Sequence, residues 1–265
     1  MNRNKPLFVI AIMLCVISFG CISTGFILRA KDSGVDTSKL TTMNASIKQV
    51  AKLEEEVDPE SDKVKDLIKL VQGTENIDKH AYKPEYMDSF YYKVNSDVLV
   101  KNIDNDVLLK LVWLNLKDSD KKTDIEGGFT VSTDDFKNTY EKLFGNSLLY
   151  SKSTTSTTAD ACLKVNYNTK NDNYEFYNTC TAISSTEIVP VITKAVRGEN
   201  EFSIYQKIGV VSEGVLYKDL GLRYRVTDNY KDDDIDKLTS YLDTYVFTFK
   251  LNKNGDYYFY KVSKK

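Results

Sequence analysis

The stretch YVFTFKLNKNGDYYF, Tyr245 to Phe259, alternates apolar and polar residues on both sides of Asn254-Gly255. Alternation with period two marks a strand with one buried face, and Asn-Gly is the strongest short signal for a two-residue hairpin turn. With Asn254-Gly255 as a type I′ turn, Phe247 meets Val262, Phe249 meets Tyr260 and Leu251 meets Tyr258, so the apolar pairs share one face. Such a face has to be covered by a second layer.

Working back from this hairpin, the chain continues to read as antiparallel strands. Phe202, Ile204, Ile208 and Val210 alternate through residues 201–211. Arg197-Gly198-Glu199-Asn200 can turn into a preceding strand at 188–197, which Pro190 weakens. Another strand is expected at 222–227. Residues 161–168 and 173–181 form a hairpin around 169–172; with Asn171 central, Cys162 faces Cys180, Lys164 faces Asn178 and Asn166 faces Phe176. Cysteines opposed at a non-hydrogen-bonded pair sit close enough for a disulfide, which would be worth about 3 kcal/mol and would imply an oxidising compartment. Two separate buried thiols are the alternative, because one pair has no spacing signature. The Ser/Thr-rich stretch SKSTTSTTAD, 151–160, is a loop or an exposed strand.

Helices come before these strands. Asp58 can cap and Pro59 suits a first helical position, with Val64, Leu67, Ile68 and Val71 on one face before Gly73. Residues 102–116 give a broad stripe of Val107, Leu108, Leu111 and Val112, with Trp113 and Leu114 beside it. Residues 132–144 are the best-defined helix: Ser132 and Asp135 fit a capping box, Phe136, Tyr140, Leu143 and Phe144 make the buried face, and Gly145 can close it. Residues 38–56 carry a three-four apolar spacing, Leu40, Met43, Ile47 and Val50, and read as a juxtamembrane helix.

Leu7 to Leu28, LFVIAIMLCVISFGCISTGFIL, holds no charged residue and has basic residues on both sides. At 1.5 Å per residue it reaches about 33 Å, enough to span a bilayer core of about 30 Å. No small-x-small cleavage site is evident, so the segment reads as an uncleaved single-pass signal anchor. Cys21, preceded by Gly20, is a lipidation candidate, although Ser18 and Phe19 depart from the usual residues and apolar sequence continues past it. Arg3 and Lys5 on one flank nearly balance Arg29, Lys31 and Lys39 on the other. A short flank followed at once by an apolar run favours an inside amino terminus and an extracytoplasmic carboxy-terminal domain. A cytoplasmic-facing regulator is the reading for the opposite orientation.

The chain of 265 residues is 42% hydrophobic and 28% charged, which describes an ordinary folded protein. Residues 1–31 contain four basic groups and no acid, leaving 32 basic against 38 acidic groups beyond them, a net of −6. A nucleic-acid partner is disfavoured, since phosphate binding needs a clustered positive field. The single His80 removes any multi-histidine zinc site and leaves one imidazole for any activated nucleophile. Asp232, Asp234, Asp236 and Asp243 occupy the first, third, fifth and twelfth places of a calcium-loop spacing. Lys237, however, stands where the turn wants glycine, and acids before Ile235, Leu238 and Leu242 also suit a short helix start. Ser119-Asp120-Lys121-Lys122 matches S-x-x-K without the partner motifs that would give it meaning. No cofactor is called for. Tyrosine is abundant at 18 residues, with Tyr82, Tyr86, Tyr91 and Tyr92 clustered and Tyr257, Tyr258 and Tyr260 on the last strand. A tyrosine-rich exposed face favours protein, peptide or glycan contact, and tyrosines are equally ordinary in sheets.

FKNTYEKLFG, 136–145, and YVFTFKLNKNGDYYF, 245–259, resemble patterns in uncharacterised membrane-anchored extracytoplasmic proteins of low-GC Gram-positive bacteria. The resemblance covers the anchor and both motifs, implies a bacterial envelope setting, and supplies no catalytic residue. The expected architecture is α+β: an N-terminal transmembrane helix (1–31), a helical stalk (32–58), and a domain (59–265) of helices packed on a twisted antiparallel sheet. The order of helix then curved sheet is similar to cystatin-like or NTF2-like folds, an analogy that licenses no function. The expected role is a membrane-tethered, non-catalytic envelope protein with the lipid bilayer and an envelope protein or glycan as partners. Its rival is a ligand-binding or hydrolytic domain with a pocket between helix 132–144 and the sheet.

Overall fold

The computed structural model describes residues 54–73, 97–152, 157–159, 163–178, 186–219 and 221–265. The first elements in chain order are β1 (Glu55–Val57), α1 (Asp62–Gln72), β2 (Val98–Leu99), α2 (Asn105–Leu116), β3 (Thr123–Ile125), β4 (Gly128–Ser132) and α3 (Thr133–Phe144). Strands then dominate: β5 (Thr157–Ala159), β6 (Leu163–Asn168), β7 (Asn173–Asn178), β8 (Thr186–Arg197), β9 (Glu201–Ser212), β10 (Val215–Tyr217) and β11 (Arg225–Thr227). A short helix α4 (Ile235–Leu238) precedes the last hairpin, β12 (Asp243–Leu251) and β13 (Tyr257–Lys264). The fold is α+β with antiparallel pairing throughout. It has two sheets where the sequence suggested one: an eight-stranded sheet running β1-β8-β9-β12-β13-β2 with β10 and β11 appended to β9, and a five-stranded sheet running β3-β4-β7-β6-β5.

The helices form where apolar spacing demands them, and their ends follow local hydrogen bonding. In α1, Val64, Leu67, Ile68 and Val71 are all buried. The helix starts at Asp62 rather than Pro59, because the Asp58 carboxylate accepts the Glu60 N–H at 3.0 Å and the Asp58 carbonyl accepts the Ser61 N–H at 3.0 Å. Pro59 thus occupies the second position of a tight turn. In α3 the Ser132 hydroxyl accepts the Asp135 N–H at 3.0 Å, as the capping box requires. Phe136, Thr139, Leu143 and Phe144 are its buried side chains, and Tyr140 lies half-buried at the rim.

Several expectations are corrected. Glu55 to Val57, assigned to the end of the stalk helix, is a strand paired with Ala195 to Arg197, and the rest of that helix lies outside the described residues. Pro190 does not interrupt β8: β1 covers only Ala195 to Arg197, so Pro190 lies on an edge where a missing N–H costs no ladder bond among the described residues. Within 222–227 only Arg225–Thr227 is strand.

The last hairpin keeps Phe247 opposite Val262 but then shifts, placing Phe249 opposite Phe259 and Leu251 opposite Tyr257. The cause is the loop. Gly255 alone takes positive φ (88°), its N–H bonds the Asn252 carbonyl at 3.2 Å, and the Asn252 N–H bonds the Asp256 carbonyl at 2.8 Å. That is a three-residue connection rather than the type I′ turn. Tyr260 becomes the extra residue of a bulge, which lets Phe259 and Val262 both face inward. In the β6–β7 hairpin the register also differs by one: Lys164 faces Tyr177 and Asn166 faces Glu175. Parity decides this, since the observed register pairs buried Val165 with buried Phe176, whereas the expected one set polar Asn166 against it. Cys162 and Cys180 lie outside the described residues.

One hydrophobic core joins both sheets and helices α1 to α3. Phe144, Phe176, Phe202, Phe247, Phe249 and Phe259 are its largest fully buried side chains. Within it Gln72 of α1 donates its amide to Gln206 of β9 at 2.9 Å, a buried polar contact spanning 134 positions. Val189, Val191, Leu216, Ile235 and Leu242 form a smaller cluster. Strand alternation puts Val189 and Val191 on the face of β8 opposite Ile188 and Ile192, which belong to the main core.

Candidate functional site

The densest convergence of polar and aromatic groups lies where α3 meets the β6–β7 turn. Asp172 closes that turn with φ 51°, a left-handed conformation uncommon for a residue other than glycine. Its Oδ1 accepts from the Thr133 hydroxyl at 2.8 Å, the Lys152 ammonium at 2.6 Å and the Tyr167 phenol at 2.5 Å. Its carbonyl accepts the Thr133 N–H and shares the single Thr133 hydroxyl proton with Oδ1, so the first residue of α3 is tied to the turn. Asn168 supports the same turn by accepting the Lys170 and Asn171 N–H groups at 3.1 and 3.2 Å.

Beside this network lies an aromatic cluster. Phe136 stacks on Tyr174 with centroids 3.8 Å apart, and Tyr140 and Tyr150 meet edge to face at 5.9 Å. Tyr150 and Tyr174 share a hydroxyl hydrogen bond of 2.7 Å, Tyr167 lies 5.2 Å from Tyr174, and the Lys152 ammonium sits 4.6 Å over the Tyr167 ring. Tyr140, Tyr150 and Tyr167 are half-buried, and Leu149 beside them is 89% exposed. Aromatic rings therefore pack between α3 and the five-stranded sheet.

The titration shifts follow from these bonds. Hydrogen bonds from Lys152, then Tyr167 and Thr133, hold the Asp172 carboxyl well below the usual carboxylate range. The bonds to Asp172 and Tyr167 push Lys152 upward. Burial, reinforced by the bond to Tyr174, pushes the Tyr150 phenol upward. Lys152 and Asp172 are thereby kept charged and the Tyr150 phenol protonated. The site combines a half-buried aromatic cluster with a surface ion pair between Lys152 and Asp172.

The four aspartates of the calcium spacing are not brought together. Asp232 and Asp234 lie in a 3-10 turn, Asp236 is in α4, and Asp243 opens β12. Buried Ile235 anchors the turn as a helix start, Asp234 pairs with Lys237 at 2.9 Å, and Asp243 is held by Lys218 at 2.8 Å and Lys264 at 2.7 Å. Among the described residues no three His, Cys, Asp or Glu side chains converge as a metal would require. The Ser119 hydroxyl donates to the Leu116 carbonyl at 2.9 Å and Lys122 pairs with Asp124, so the S-x-x-K residues have ordinary structural roles.

Of the last-strand tyrosines, Tyr257 packs edge-on against Phe202 and Tyr260 sits under the Lys250 ammonium at 3.7 Å. Cys21, His80, Tyr82, Tyr86, Tyr91, Tyr92 and the run Leu7 to Leu28 lie outside the described residues, among which no helix is long and apolar enough to cross a membrane. An open cleft of about 470 Å³, lined by Asp58, Glu60, Thr193, Asp236 and Thr239 among others, lies at the edge of β8.

Sequence reading missed Thr133, Lys152, Tyr167 and Asp172 as a group. Their only local signal is the turn composition of 168–172. Comparison of the chain with protein-family models, curated proteins and solved structures finds no match.

Proposed function

We propose that this chain is a membrane-tethered, non-catalytic protein of a bacterial envelope. Leu7 to Leu28 serves as a single-pass anchor, and an extracytoplasmic α+β domain makes contact with another envelope protein or with cell-wall glycan. The observation that supports the contact role is the group Tyr140, Leu149, Tyr150 and Tyr167, in which Tyr167 is bonded to Asp172 and Tyr150 to Tyr174. Rigid aromatic area with polar tips is the composition that contact surfaces favour, because it is ordered before the partner arrives. The anchor reading rests on the length and charge-free composition of the apolar run.

Two measurements test this reading. Membrane-impermeant maleimide applied to intact cells carrying the Cys15→Ser, Cys21→Ser chain should label Cys162 and Cys180 only after reduction. Labelling only after lysis would place the domain in the cytoplasm and make a regulator the better reading. A photo-crosslinking residue at position 149 should then give a discrete adduct that Tyr150→Ala and Tyr167→Ala weaken. No adduct at 149, or one indifferent to both substitutions, would remove the contact role from this face.

A further inference from the structure

Asn254-Gly255 is the only asparagine-glycine step in the chain, and the loop between β12 and β13 does not use it as a two-residue turn. The two asparagines of that loop are held differently. Asn252 is half-buried, and its carboxamide oxygen accepts the Asn254 and Asp256 N–H groups, each at 2.9 Å. Asn254 is exposed, and its own carboxamide has no partner among the described residues. Gly255 is also exposed, at φ 88°, with nothing within 4 Å of the place where a Cβ would stand. Its N–H reaches the Asn252 carbonyl at 3.2 Å, the long limit for such a bond.

We propose that Asn254 is a self-modifying position: it converts to isoaspartate and aspartate through a cyclic imide closed by the Gly255 nitrogen, and the isoaspartate form loosens the last hairpin. The Gly255 nitrogen gives up its proton to water and bonds to the Asn254 side-chain carbonyl carbon. The carboxamide C–N bond breaks, and its nitrogen takes up a proton and leaves as ammonia. Water then opens the imide. Attack at the backbone carbonyl leaves the chain running through the side-chain carbon, which is isoaspartate, and attack at the former side-chain carbonyl gives aspartate. Nothing is oxidised or reduced, and water is the only co-reactant.

Glycine favours the closure because it has no side chain to crowd the attacking nitrogen and because its backbone turns freely. Asn252 has neither advantage: Lys253 follows it, and two hydrogen bonds hold its carboxamide, so the same loop contains an unreactive comparison. Loop geometry fixes the register of a hairpin, so a change here reaches the strands. Both products add a negative charge beside Asp256. Isoaspartate also inserts a carbon into the backbone between the two N–H groups that Asn252 holds. Phe249 and Phe259, paired at the base of the loop, are fully buried, so isoaspartate disturbs the core while aspartate leaves it in place.

The full chain in detergent micelles would be aged at mildly alkaline pH in heavy-oxygen water, and its peptides read by mass spectrometry with fragmentation that separates isoaspartate from aspartate. The expected result is solvent oxygen in a new carboxyl at 254, as isoaspartate together with aspartate, and no conversion at 252. Asn254→Gln, whose longer side chain closes a ring less readily, should abolish the reaction over the same period. Asn252→Ala, which releases the loop, should speed it several-fold. The isoaspartate fraction should melt below the fresh chain, and Asn254→Asp, which adds the charge without the extra backbone carbon, should melt with the fresh chain. Asn254 left intact in the folded chain, whether or not the same chain in urea converts, would overturn the proposal. Aspartate without isoaspartate would also overturn it, since direct hydrolysis gives that result. Equal melting of the fresh and isoaspartate chains would overturn the effect on the hairpin.

Discussion

Phe136→Ala tests whether α3 is seated on the five-stranded sheet as described. The ring is buried, stacked 3.8 Å from Tyr174 and within 6.1 Å of Phe176. Truncating a buried phenylalanine costs about 3–5 kcal/mol, of which the surrounding structure recovers only part by relaxing. For a domain of this size each kcal/mol lowers the melting temperature by about 2–4 °C, so a fall of about 6–20 °C is expected. Calorimetry, and urea titration with an unchanged m-value, would measure it. Tyr174→Ala and the double variant would complete a cycle with a coupling of about 0.5–1.5 kcal/mol for the stacked pair. A loss below about 1 kcal/mol, smaller than any buried Phe truncation should give, would refute the packing.

Gly145 at φ 53° has the Tyr258 ring where a Cβ would go, 2.7 Å away. Gly145→Ala should therefore cost about 1–3 kcal/mol in urea denaturation, and Tyr258→Ala in the same chain should recover the steric part and leave the backbone part. Gln206→Leu should cost about 1–3 kcal/mol by removing the acceptor of the buried Gln72 amide bond, with Gln72→Leu/Gln206→Leu less costly than the sum of the two single variants; an additive double variant would argue that the two amides do not act as a pair.

Burial alone would raise the Asp243 carboxyl, but the bonds from Lys218 and Lys264 outweigh it and hold it below its ordinary value. A depressed carboxyl stabilises above its unfolded pKa of about 3.9 and loses that contribution as pH falls through the folded value. The stability difference between wild type and Asp243→Asn should accordingly be full at neutral pH and shrink in acid. A pH-independent difference would show that the lysine pairing is not its source. Pro190→Thr, which restores a donor to a part of the β8 edge that no described strand pairs, should produce concentration-dependent association in sedimentation velocity. An unchanged monomer would show that the edge is guarded by something else.

The helical core positions were legible because 3.6-residue spacing survives any tertiary context: Val64, Leu67, Ile68, Val71, Phe136 and Leu143 are buried as their pattern dictates. Strand registers were less so. A period of two says which residues share a face but leaves pairing to the loop, and Asn252, whose side chain accepts the Asn254 and Asp256 N–H groups at 2.9 Å, fixes a longer loop than Asn254-Gly255 suggests. Glu55 to Val57 is too short a strand to show any period. The Asp172 network was illegible for another reason. Thr133 and Asp172 lie 39 positions apart and Lys152 and Asp172 lie 20 apart, so nothing local announces that they meet.

The two ends of the eight-stranded sheet have a bearing on synthesis. Glu55 finds its partner only at Arg197, and Val98 waits for Val262, a gap matching the 164 positions between Asp97 and Lys261. As the chain leaves the ribosome, α1, α2 and the strands of the smaller sheet are complete long before either border of the larger sheet can close. Closing such distant pairs makes folding slow and leaves unpaired strand edges open meanwhile. A nascent chain of this design needs its apolar faces shielded until its last strand arrives, which makes the timing of release, more than final stability, the point at which its biogenesis is most exposed to failure.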